Sequence, residues 1–179
     1  SSLALTCGFE VTVVDERPEW ANEARLPGAT VHAREPEAWL RSIETRDDDF
    51  AVVVSHDHAL DQRLVQGLLR RRLRFLGMIG SIPKQRKFAL RLRARGFHDA
   101  EIARVQTPLG ISIGADSPEE IAVSVMAQLI AVRRGMRTAP AWTPPERAAA
   151  NPDASSPPSD FDTPPDATAT PQRKEQETT

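Results

Sequence analysis

Four groups of residues carry the types and spacings from which chemistry could be built. The first is Asp15-Glu16-Arg17-Pro18-Glu19-Trp20, directly behind the apolar run Phe9 to Val14. An acid ending a strand can accept hydrogen bonds from ribose hydroxyls, or it can cap its own loop. The second is Ser55-His56-Asp57-His58, with Asp61 one turn on, directly behind FAVVVS. Two imidazoles and two carboxylates there could hold a metal, pass a proton or line a polar cofactor pocket, and Asp57 also suits the N-cap of a helix starting at His58. No third strong metal ligand lies nearby in sequence, which ranks a metal behind a polar pocket. The third group is Gly77-Met78-Ile79-Gly80-Ser81, followed by Pro83, Lys84, Arg86 and Lys87. A glycine turn opening a helix with a basic first turn makes an anion site, because free N–H groups and the helix dipole add to the side-chain charge. The same glycines serve plain turn geometry. In the fourth group, Thr107 to Asp116, Gly110 and Gly114 interleave with β-branched residues, which fits close approach to a ligand or a structural turn.

The elements that position these groups alternate along the chain. Phe9 to Asp15, Thr30 to Ala33, Phe50 to Ser55 and Phe75 to Ile79 read as strands. Their continuous apolarity points to burial on both faces, as in a parallel sheet covered by helices. Between them lie helices over Pro36 to Thr45, over His58 to Leu73 with a stripe of Leu60, Leu64, Leu68 and Leu69, and over Pro83 to Arg95 with Phe88 and Leu92 before the Gly96 stop. A last helix starts at the N-cap Ser117 with Pro118 and Glu120 completing a capping box, carries Ile121, Val125, Leu129 and Val132 as its core stripe, and ends at Gly135. This alternation predicts an α/β, Rossmann-like doubly wound parallel sheet over residues 1–137. Ligands of such sheets bind beyond the carboxyl ends of the strands, where all four groups fall.

Composition narrows the function classes. The net charge is only −2, yet twelve Lys or Arg face two acids between Arg63 and Arg104, so a basic segment hides in the average. Aromatic stacking residues are scarce there, which argues against a nucleic-acid interface. The single cysteine, Cys7, excludes an internal disulfide and a cysteine-based zinc cluster and fits a reducing, cytoplasmic setting. No apolar run approaches membrane-spanning length. Nine of the fifteen prolines lie between Pro140 and Pro171, so residues 138–179 read as a disordered Pro-rich tail. At the other end, Ser1 to Leu5 reads as a run into a strand with no cap or turn before it, as if the start were cut. Only Gly8 precedes Asp15, so the phosphate loop G-x-G-x-x-G that normally stands about 20 residues before such an acid is absent from this chain.

In combination the motifs resemble the C-terminal Rossmann-like domain of the XdhC/CoxI family. The resemblance rests on VTVVDERPEWAN (Val11 to Asn22), VVVSHDHALD (Val52 to Asp61), GMIGSIPKQRKF (Gly77 to Phe88) and PLGISIGADSPEEIAVSVMAQLI (Pro108 to Ile130), in matching order and spacing. Ser55 stands where the family often has Thr and keeps the hydroxyl. The family's first strand, its glycine-rich loop and a separate N-terminal domain are expected upstream of Ser1. The resemblance implies an accessory protein rather than an enzyme. It implies transient binding of the molybdenum cofactor (molybdopterin), help with its sulfuration by a cysteine desulfurase, and delivery to an apo xanthine dehydrogenase-type molybdenum hydroxylase. The residues' own chemistry nominates Asp15, His56, Asp57, His58, Gly77, Gly80, Ser81, Lys84, Gly110 and Gly114 as cofactor contacts, with no metal. The competing reading, an NAD(P)-binding oxidoreductase domain, rests on fold analogy and needs the absent phosphate loop. In the strand order 3-2-1-4-5-6, a chain without its first strand should carry a split sheet whose free edges invite pairing, for instance as a homodimer.

Overall fold

A computed structural model describes residues 1–136; the expected tail, 138–179, lies outside the described residues. The order is α1 (Ser2–Thr6), β1 (Thr12–Asp15), β2 (Thr30–Ala33), α2 (Pro36–Ser42), β3 (Phe50–Val53), α3 (His58–Leu69), β4 (Phe75–Met78), α4 (Ile82–Ala94), α5 (Asp99–Ile102), β5 (Val105–Gln106) and α6 (Pro118–Arg133). All strand pairs are parallel. They form two sheets, β1-β2 and β3-β4-β5, with no ladder between β1 and β3. The fold is therefore α/β and Rossmann-like, with the split that the strand order predicts. Side chains bridge the two sheets where backbone does not: Phe9, ahead of β1, meets the Phe50 ring of β3 edge to face at 5.6 Å.

The central strand β4 is buried at every position, which accounts for its unbroken apolarity. On one side, Val53, Val65, Leu68, Leu69, Leu76, Met78, Phe88, Leu92 and Val105 share a core; on the other, Phe75, Leu109, Met126 and Leu129 pack with Ala4, Cys7 and Phe9. Several expectations need correcting. Ser2–Thr6 is helical, not a run into a strand, and it lies against α6. The buried stripe of α3 is Asp61, Val65, Leu68 and Leu69, while Leu60 and Leu64 are half-buried. That helix stops at Leu69 because Arg104, from beyond α5, donates to the carbonyls of Leu69 and Arg71 at 3.0 Å each and so satisfies its C-terminal end. Helix α5 and strand β5, too short to show a period, escape the sequence reading.

In α6 the Ser117 capping box forms as expected, and the N–H groups of Asp116 and Ser117 hold the Glu120 carboxyl below its ordinary value. Its buried face differs from the expected stripe. Ile121 is exposed, whereas Ser124 and Gln128 are buried because they serve the preceding loop. Gln128 Oε1 accepts the Gly110 N–H at 2.7 Å, and Ser124 Oγ donates to the Ile111 carbonyl at 2.6 Å. Gly110 has φ +104°, and a Cβ there would collide with Ser124 Oγ; Gly114 has φ +71° in open space. Gly110→Ala should therefore destabilise the fold by at least about 2 kcal/mol and Gly114→Ala by about 1 kcal/mol. Denaturant unfolding checks this; equal losses would show that the Ser124 contact is not a constraint.

Candidate functional site at the carboxyl end of the sheets

Asp61 sits in the apolar stripe of α3 and is 0% exposed. A carboxylate so placed must be paired or neutral. The structure supplies its partners from two other elements. Ser55 Oγ, in the turn after β3, donates to Oδ1 at 2.6 Å, and Lys84 Nζ, from the first turn of α4, donates to Oδ2 at 3.0 Å. Lys84 Nζ also donates to the Ile79 carbonyl at 3.2 Å. Its aliphatic stem crosses Gly80, where a Cβ would come within 2.8 Å of Lys84 Cδ, so Gly80 is glycine to let the lysine lie flat. The second and third residue groups of the sequence thus form one network that ties the ends of β3 and β4 together.

The network sets the turn that carries the histidines. Ser55 Oγ accepts the Asp57 N–H, and Asp57 caps α3 by accepting the Ala59 N–H at 2.7 Å. That N–H holds the Asp57 carboxyl below its ordinary value of 3.8. His58, its side chain 73% exposed, places Nδ1 3.8 Å from Asp61 Oδ2, while His56 is exposed beside it. Across from this turn, at the end of β1, Asp15 accepts Arg17 Nε at 2.9 Å, its terminal nitrogen at 2.8 Å and its N–H at 3.0 Å. Those bonds lower the Asp15 carboxyl against the opposing effect of burial, and the His56 charge adds to them. Arg17 and Arg25 both lie over the Trp20 ring, Arg25 at 4.4 Å. The result is a rim of imidazoles and guanidinium above a buried, charge-compensated base.

The nominated residues therefore separate. Asp15, His56, Asp57, His58, Gly80, Ser81 and Lys84 gather at this end, but several are engaged internally. Ser81 Oγ accepts the Lys84 N–H at 3.4 Å, Pro83 has no N–H, and Lys84 is only 21% exposed. The start of α4 consequently offers an anion little beyond the Ile82 N–H and the outward Arg86 and Lys87. Gly77 answers to packing: a Cβ there would meet Leu109 Cδ1 and the Phe75 ring. Gly110 and Gly114 belong to the loop held by α6. Among the described residues no three His, Cys, Asp or Glu converge as metal ligands. Thr107 Oγ1, behind Gly80, and Gln128 Nε2 are buried without a hydrogen-bond partner. The signal that could have exposed the network is the charged residue in the α3 stripe, which requires a cation from elsewhere.

A family profile described as the XdhC Rossmann domain matches residues 1–129. The chain belongs to the XdhC family. Among its XdhC-like relatives, a probable xanthine dehydrogenase subunit from Bacillus subtilis (strain 168) is 33% identical over 135 residues, covering 75% of this chain and 39% of that protein. An uncharacterised Escherichia coli (strain K12) protein, YqeB, is 31% identical over 132 residues, covering 73% of this chain and 24% of its own length. The crystal structure of a protein described as a xanthine dehydrogenase from Bacillus halodurans superposes with a TM-score of 0.66 at 34% identity, over 76% of this chain and 39% of the other. The chain thus spans well under half the length of these relatives. In this XdhC domain no described helix is long and apolar enough to cross a membrane.

Two outcomes follow from the network. Lys84→Met or Asp61→Leu alone should cost about 3–5 kcal/mol by stranding a buried charge, whereas the double variant should lose markedly less than the sum. Additive losses in denaturant unfolding would show that the two groups are not coupled. The Asp57 cap has a depressed folded pKa, so its contribution is fully present above 3.8 and is lost as pH falls through the lower folded value. Asp57→Asn should flatten the acid limb of the stability profile; an unchanged limb would contradict that assignment.

Proposed function

We propose that this chain binds the molybdenum cofactor at the rim formed by His56, His58 and Arg17 and acts as a maturation chaperone, not as the hydroxylase itself. In this reading it shelters the cofactor while a cysteine desulfurase supports its sulfuration, then hands it to an apo xanthine dehydrogenase-type hydroxylase. The observation that carries it is the rim: two exposed imidazoles and a guanidinium held over an ion-paired base at the carboxyl end of a parallel sheet, in a chain of the XdhC family.

The donor set fits the ligand class. Molybdopterin is anionic through its phosphate and rich in hydrogen-bonding edges, and imidazole and guanidinium groups recognise such edges by donation. When bound, the cofactor supplies a dithiolene that holds molybdenum. The chain's own residues do simpler work. The Ser55-Asp61-Lys84 network fixes the turn, His56 and His58 present ring nitrogens to solvent, and Arg17 presents a cation anchored by Asp15. The NAD(P) reading draws less support, because the Asp15 carboxylate is already engaged with three donors of Arg17.

Pterin co-purifying with the chain, measured by its fluorescence after oxidation, tests the proposal. Replacing His56 and His58 together with Ala should lower the bound pterin at least tenfold with an unchanged circular dichroism spectrum. Equal pterin in wild type and variant, or stoichiometric NAD(P)H with no pterin, would overturn it.

A further inference from the structure

We propose that the open cleft between α4, α5 and β5 is a peptide-docking groove whose partner is an extended segment carrying a branched apolar residue next to an acidic one. The groove is separate from the histidine rim and from cofactor handling. Its volume is about 650 Å³, within the range of about 300–1,000 Å³ typical of binding clefts. Phe88, Leu92, Ile102 and Val105 form its floor, and the small Ala89 leaves room above them.

Three features select an extended peptide with an acid. No residue of β4 lines the groove, so it runs along the side of β5 that faces away from β4. β5 pairs with β4 alone among the described strands, which leaves its outer edge open to another chain's backbone. A compact small molecule would leave that edge unpaired. Second, α4 carries five cations and no acid. Lys84 is held by Asp61, Arg93 by Asp99 and Arg91 by Gln62, whereas Arg86, at the groove, has no side-chain partner among the described residues. A free guanidinium beside an apolar floor complements an acid next to an apolar side chain. Third, the buried Thr107 Oγ1 borders the inner end of the groove without a hydrogen-bond partner, and a polar group of an incoming peptide would satisfy it.

Selection from an unbiased displayed library of eight-residue peptides against the whole chain tests the proposal. The expected result is enrichment of sequences with Asp or Glu beside Val, Ile or Leu. Their affinity should fall at least tenfold in Arg86→Glu and in Ala89→Trp, and their binding should shift the backbone amide signals of residues 103–107. Arg86 is exposed, so its variant stays interpretable if Ala89→Trp disturbs packing. No enrichment, enrichment of basic peptides, or affinity retained in Arg86→Glu would overturn the proposal. So would binding of 8-anilinonaphthalene-1-sulfonate in the groove with no peptide able to displace it. None of these outcomes bears on pterin content, so this proposal and the cofactor reading stand or fall independently.

Discussion

The Asp61–Lys84 ion pair is the interaction on which the candidate site depends. A carboxylate taken fully out of water is tolerated only with a close cation and further hydrogen bonds, and here the cation must come from a different helix. That requirement fixes the distance between the starts of α3 and α4, and with it the ends of β3 and β4. Ser55 completes the carboxylate's shell and in doing so pins the turn bearing His56 and His58. Apolar residues of similar volume can in principle replace such a pair at little cost in stability, so its value lies in geometry: it makes a rigid base for side chains that face solvent.

A second constraint acts from the opposite core. The loop from Thr107 to Asp116 must pass close to α6, and Gly77, Gly110, Ser124 and Gln128 are the residues that let it do so. Glycines that read as ligand contacts therefore act as packing devices. The two cores meet at β4, whose four buried residues face both. A disturbance of the α6 loop would reach Gly80 and Lys84 through Thr107 and this strand, linking fold stability to the shape of the rim.

Much of the fold was legible because its signals are local. β2 begins and ends where expected, and Ser117, Pro118 and Glu120 start α6 as their types dictate. The split between β1 and β3 followed from strand order alone. What sequence could not show were the pairings made across the fold. Asp61 and Lys84 were each visible as chemistry-bearing residues, but their 23-residue separation gives no sign that one neutralises the other. Ser124 and Gln128 looked like polar interruptions of an apolar stripe, since their partners lie in a loop without periodicity. Helix α1 was hidden by its five-residue length, and β5 by its two.

The central claim is that the base network presents His56 and His58, and not the other histidines, to the ligand. Imidazole resonances observed during titration of the chain with molybdopterin test it most directly, because the chain has four histidines in distinct places. His32 lies against Trp39 in β2, and His98 stands at the N-cap of α5. The account predicts saturable shifts of the His56 and His58 ring signals, silence from His32 and His98, and loss of the response in Lys84→Met. Shifts confined to His32 or His98, or no shift at saturating cofactor, would contradict it.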